Sequence, residues 1–276
     1  MNRKDIFSIL AEKFNADDEI YKIKALFFKK LFLYTNAYNG IQKEMTIENI
    51  VDNFLFSQWK QRGFCINCEE MRLKIGIKNT LKTIEEKIIL LEYIFNLIYL
   101  IHTHLKIGNL EPIRHKSDYI IFLSNINHIL EKMHYGKHFF KDEEKVILVP
   151  KNPTATAVAE ISSENTAMAI LMYHHASLKG NLVRKKELLR QIAQEYEPLL
   201  KKGIDGFSDY FSKARDFLNN LDIRHNNSDK PIVKNLSPEE LENWYDELYQ
   251  LLLFCVLIRD NKDRKDKMAE FLKTSR

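Results

Sequence analysis

Between Phe217 and Asn227 the chain reads Phe-Leu-Asn-Asn-Leu-Asp-Ile-Arg-His-Asn-Asn, a concentration of groups suited to handling a phosphate. Arg224 offers a permanent cation with several planar donors, and His225 a group that titrates near neutrality. Asn219, Asn226 and Asn227 add amides that orient a bound strand by hydrogen bonding. These residue types fit cleavage of RNA without a metal. His225 would take the proton of the ribose 2′-hydroxyl or protonate the leaving oxygen, while Arg224 stabilises charge building on the phosphorus. The structural alternative is an ordinary helix C-terminus, with Arg and His complementing the dipole and an Asn in the left-handed conformation.

Two other clusters could carry chemistry. Tyr173-His174-His175 comes late in a helical run and is followed by Ser177, Lys179 and Gly180. On a continuous helix His175 and Lys179 stand four residues apart and share a face suited to a substrate phosphate. The plainer reading is a set of cations at the negative end of a helix dipole. Cys65 and Cys68 form a CxxC pair, yet a structural zinc site takes four ligands, and the remaining cysteine, Cys255, falls alone on an apolar stripe. His102 and His104 point about 200° apart if both are helical, so they do not chelate one ion. The sequence therefore implies no metal and no cofactor, and it contains neither GxxxxGK[ST] nor GxGxxG.

Composition says what kind of scaffold positions these groups. With 8 Gly and 6 Pro in 276 residues, 45% hydrophobic and 29% charged, there is little turn material, which excludes a sandwich, barrel or propeller and predicts an all-α fold. An odd count of 3 cysteines points to a reducing compartment. The net charge of +4 permits a nucleic-acid partner without demanding one. The opening MNRKDIFSILAEKF is charged throughout and does not read as a signal peptide. The most apolar run, Ile88 to Ile101, contains Glu92 and Asn96 and is too short to span a bilayer. A cytoplasmic protein without a membrane partner is the expectation.

Periodicity predicts helices over Arg3–Phe14, Asp17–Tyr34, Thr46–Trp59, Glu69–Ile77, Thr83–His104 and Asp118–Met133, with a connector over Lys106–Lys116. The texture then changes. Two β-prone runs flank Lys141-Asp-Glu-Glu144, predicting a small hairpin over 138–149. Further helices follow over Thr154–Ile161, Glu164–Leu178, Leu182–Lys202 and Phe207–Ile223. The last, Pro238–Arg259, starts at a capping box of Ser237 and Glu240 and leaves a charged tail beyond Asp260. The organisation expected is a helical region over 1–135, a hairpin and connector over 136–153, and a helical domain over 154–276.

That last domain, with an Arg/His cluster closing its third long helix, resembles the HEPN superfamily. The fragments Leu-Asn-Asn-Leu-Asp-Ile-Arg-His-Asn-Asn and Trp-Tyr-Asp-Glu-Leu-Tyr-Gln-Leu-Leu-Leu-Phe are similar to abortive-infection and phage-defence proteins carrying such domains. The resemblance covers less than half of the chain. It implies a four-helix bundle that forms a homodimer, paired motifs that make a metal-independent RNA endonuclease of defence or toxin type, and a regulatory partner protein. Arg224 and His225 would be its catalytic residues. In the family's pattern a longer gap separates the Arg from the His. Here the two are adjacent, with Arg215 well upstream, an arrangement open to a variant nuclease or to a member that binds RNA or a partner without cutting. The alternative function is thus a non-catalytic helical adaptor.

Overall fold

The computed structural model describes residues 14–35, 40–77, 80–104, 110–112, 115–224 and 231–274. The helix expected over Arg3–Phe14 lies almost wholly outside them. The chain divides into two compact units, Met1–Lys151 and Asn152–Arg276.

The first unit contains α1 (Ala16–Phe27), β1 (Phe32–Thr35), β2 (Gln42–Met45), α2 (Ile47–Ile50), α3 (Cys68–Lys74), α4 (Ile84–His104), β3 (Leu110–Pro112), α5 (His115–Lys132), β4 (Tyr135–Phe140) and β5 (Lys145–Pro150). The protein is mostly helical, as expected, with two small antiparallel sheets among the described residues, of which the hairpin alone was expected. One has the order β2-β1-β3, the other is the hairpin β4-β5. The helix expected to reach Tyr34 stops at Phe27, where Lys29 N–H tightens onto the Leu26 carbonyl. Phe32-Leu-Tyr-Thr then pairs on both edges, Phe32 opposite Met45 on one side and Pro112 on the other. Aromatic and β-branched residues accept either conformation locally, and the partner strands decide between them. The winding begun by the Thr46–Asn49 capping box does continue to Gln58. Beyond Ile50 it proceeds as a π turn and then a 3₁₀ turn.

The predicted hairpin forms, and it explains the polar residues of α4. That helix is buried nearly all round, as a central helix should be. Asn96 donates to the Val146 carbonyl (2.7 Å) and accepts from its N–H (2.9 Å), and Glu92 accepts from Leu148 N–H (2.7 Å). The edge of β5 not paired with β4 is thereby closed by side chains, which also blunts it against strand addition. Val146 to Val149 are all buried between these partners.

The second unit holds α6 (Pro153–Glu160), α7 (Glu164–Met172), α8 (Leu182–Lys202), α9 (Ser208–Asn220), α10 (Pro231–Asn235) and α11 (Pro238–Thr274). Tyr173, Leu189, Ile192, Phe211, Leu218, Tyr249 and Leu252 lie in its core. α8 starts on an Asn181 cap and stops at Gly203, whose φ of +65° suits only a residue without a side-chain clash. Three ends differ from expectation. α7 ends at Met172 and α9 at Asn220, whereas α11 runs on to Thr274. No described helix is long and apolar enough to cross a membrane.

Candidate functional site

The Arg224 region is built on how α9 ends. Ile223 N–H bonds the Leu218 carbonyl (3.0 Å) and Asp222 N–H the Asn219 carbonyl (3.4 Å), the two bonds of a Schellman turn. Ile223 and Leu218 are both fully buried, supplying the apolar contact such a turn carries. The left-handed position is filled by Asp222 (φ +61°) rather than Gly. Its side chain is 3% exposed and takes a 2.7 Å ion pair from Lys186 on α8. Arg224 therefore follows the turn, and the helix ends at Asn220, three residues before the expected Ile223.

From there Arg224 Nη2 donates to Glu197 Oε2 (2.7 Å) and Nη1 to Asn219 Oδ1 (3.3 Å). Glu197 also pairs with Lys201 (3.3 Å). Arg190, Ala193, Gln194 and Glu197, spaced along one face of α8, line a cleft of about 410 Å³ with Arg224. Of the five N–H donors of the guanidinium, two have these partners, and Nε is buried with no hydrogen-bond partner among the described residues. The chemical capacity of this wall is to receive an anion on a pre-oriented guanidinium, with Arg190 as a second cation.

The structure thus brings Asn219 and Arg224 together, while His225, Asn226 and Asn227 lie outside the described residues. It does not put His175 and Lys179 on one helical face. α7 has ended, and His175 is a buried cap of the 3₁₀ turn Ala176–Leu178, its Nδ1 accepting from Ser177 N–H (3.2 Å). Lys179 is exposed beyond that turn, and neither residue lines the cleft. Arg190 and Glu197 were not singled out from the sequence. Their spacing with Gln194 marks a polar face of α8, but their partner is remote in sequence.

Each unit also holds a buried polar network of its own. In the second unit Lys185 is 5% exposed and pairs with Glu242 (2.9 Å) and Asp246 (2.7 Å), its ammonium 5.0 Å from the Tyr173 ring centre. Tyr173 stacks on Tyr249 at 4.1 Å, and His174 packs edge-on to both. Burial holds the His174 imidazole below its ordinary pKa, with Asp246 and Glu242 pulling the other way. In the first unit Cys68 opens α3, its N–H donating to Asp52 (2.8 Å) while Tyr93 Oη lies 2.8 Å from Glu48, which Arg72 also holds at 2.6 Å. Burial pushes the Cys68 thiol up and raises the Glu48 carboxyl. His102 meets Tyr119 (2.8 Å) and His104 meets Glu144 (3.2 Å), so the histidine pair diverges as its spacing requires. Comparison with protein-family models, with curated proteins and with solved structures finds no match, so function must be read from this geometry itself.

Proposed function

We propose that the second unit is an RNA-binding ribonuclease, with the cleft beside Arg224 as its phosphate site. One observation carries the reading: a guanidinium held on two sides by Glu197 and Asn219 at the wall of an open cleft, next to a second arginine. Fixing both contacts removes rotamer freedom before a ligand arrives, which is the preorganisation that stabilises developing charge. Bidentate contact with a phosphate suits a planar guanidinium better than an ammonium.

His225, one residue further, is the proposed proton-transfer group. It removes the proton of the ribose 2′-hydroxyl, that oxygen forms a bond to phosphorus as the bond from phosphorus to the 5′ oxygen breaks, and the 5′ oxygen takes a proton from water while His225 gives its own to solvent. The products are a 2′,3′-cyclic phosphate and a free 5′-hydroxyl. Asn226 and Asn227 would hold the strand.

The test is incubation with structured RNA in EDTA, followed by analysis of fragment ends. Cyclic phosphate termini are expected, with His225→Ala slowing cleavage about 10²–10⁴-fold. Arg224→Lys should weaken it while leaving the fold intact. Binding without fragments would favour the adaptor reading, and neither binding nor cleavage would refute the assignment of this cleft.

A further inference from the structure

α11 is 37 residues long, yet its last buried residue is Ile258. The remaining turns, some 24 Å of helix, run with every position from Asn261 to Thr274 exposed except Asp263, which is half-buried. Ion pairs along the helix hold it, Arg259 to Asp263 (2.8 Å) and Arg264 to Asp260 (2.7 Å). An isolated helix of this length is marginal in water. This one also presents Met268 and Leu272 at 66% and 63% exposure. Something should cover it.

The sequence of the arm says what. Phe254, Leu257, Asn261, Arg264, Met268 and Phe271 recur at alternating intervals of three and four, the seam of a coiled coil. Phe254 is 42% exposed and Leu257 half-buried, so the seam begins on the body of the unit and continues onto the arm. If a second copy is laid antiparallel, centred between Lys262 and Asp263, each seam residue finds a compatible opposite. Phe254 meets Phe271, Leu257 meets Met268, and Asn261 meets Arg264. On the flank, Asp260 of each copy faces Lys267 of the other, giving two opposite-charge contacts by symmetry. A parallel pairing would instead set Arg264 against Arg264. The tip of the arm would land beside Phe254, which contacts Tyr210 at 5.1 Å and extends through Phe207 into an exposed aromatic patch.

We propose that the end of α11 is an exchange arm that pairs antiparallel with the same arm of a second copy of this chain. The self-complementary seam, apolar at both ends and polar in the middle, is the argument for that occupant over an unrelated one. It does not depend on the ribonuclease reading.

Sedimentation of the full chain tests it. A concentration-dependent dimer is expected, and Met268→Glu with Phe271→Glu should abolish it without loss of helix signal, since both side chains are exposed. Asp260→Lys and Lys267→Asp should each weaken the dimer about tenfold or more, and the two together should restore it. A chain carrying both Asn261→Cys and Arg264→Cys should oxidise to a covalent dimer, whereas Arg264→Cys alone should not. A monomer at tens of micromolar, a dimer indifferent to Met268→Glu with Phe271→Glu, or ready crosslinking through Arg264→Cys alone would each overturn the proposal.

Discussion

Asp222 is the residue on which the geometry of the candidate site turns, and replacing it separates two opposing energies. Holding a non-glycine residue left-handed costs about 1 kcal/mol, somewhat less for Asp than for Ala. Against this stands the ion pair with Lys186, a charged hydrogen bond worth about 1.5–3 kcal/mol when buried. The Asp222 side chain is 3% exposed but that of Lys186 22%, so the lower end of that range applies. Asp222→Gly relieves the strain and loses the pair, for a net destabilisation of about 0.5–1 kcal/mol. Asp222→Asn keeps an oxygen acceptor and the tolerance of the left-handed region, losing about 1 kcal/mol. Asp222→Ala loses the pair and adds strain, so about 2–3 kcal/mol is expected. The assay is urea unfolding in a Trp59→Phe background, where Trp244 is the remaining tryptophan and reports on the second unit. At about 3–5 °C per kcal/mol, thermal melts should resolve the same order. The reasoning fails if Ala is as stable as Gly, because the strained turn would then not matter. It fails equally if Gly exceeds the parent by more than about 1 kcal/mol, because the ion pair would contribute nothing.

Other outcomes follow from the same contacts. Asn96→Leu should destabilise the first unit by about 2–4 kcal/mol, because Val146 loses partners for both its N–H and its carbonyl; protection of Val146 N–H against hydrogen exchange should fall with it. Leu218→Ala, at a fully buried position, should cost about 2–5 kcal/mol and lower the amount of folded protein, while Arg224→Ala should cost no more than about 1–2 kcal/mol. His174 titrates below its ordinary 6.5 in the folded chain, so between the two values the unfolded state binds more protons. Its contribution is complete above pH 6.5 and is lost as pH falls below it, so His174→Phe should flatten the pH dependence of stability in that window.

What the sequence could determine was local. The 3.6-residue spacing in Leu182–Lys202 sufficed to place α8, and the two β-prone runs around Lys141-Asp-Glu-Glu144 sufficed for the hairpin. In each case neighbours in the chain supply the interaction that decides the conformation. The strand at Phe32–Thr35 was not legible, because four residues of mixed propensity take their state from Met45 and Pro112, which lie far along the chain. Nor were the ends of α7 and α9. α7 and α9 stop where His175 caps a turn and where Asp222 reaches Lys186, and these are side-chain contacts, not periodicities. The sequence singled out Arg224 and Asn219 as chemically suggestive. Only the tertiary structure put Glu197 and Arg190 around them, since hydrogen bonds and ion pairs between separate helices depend on packing distance rather than on spacing along the chain.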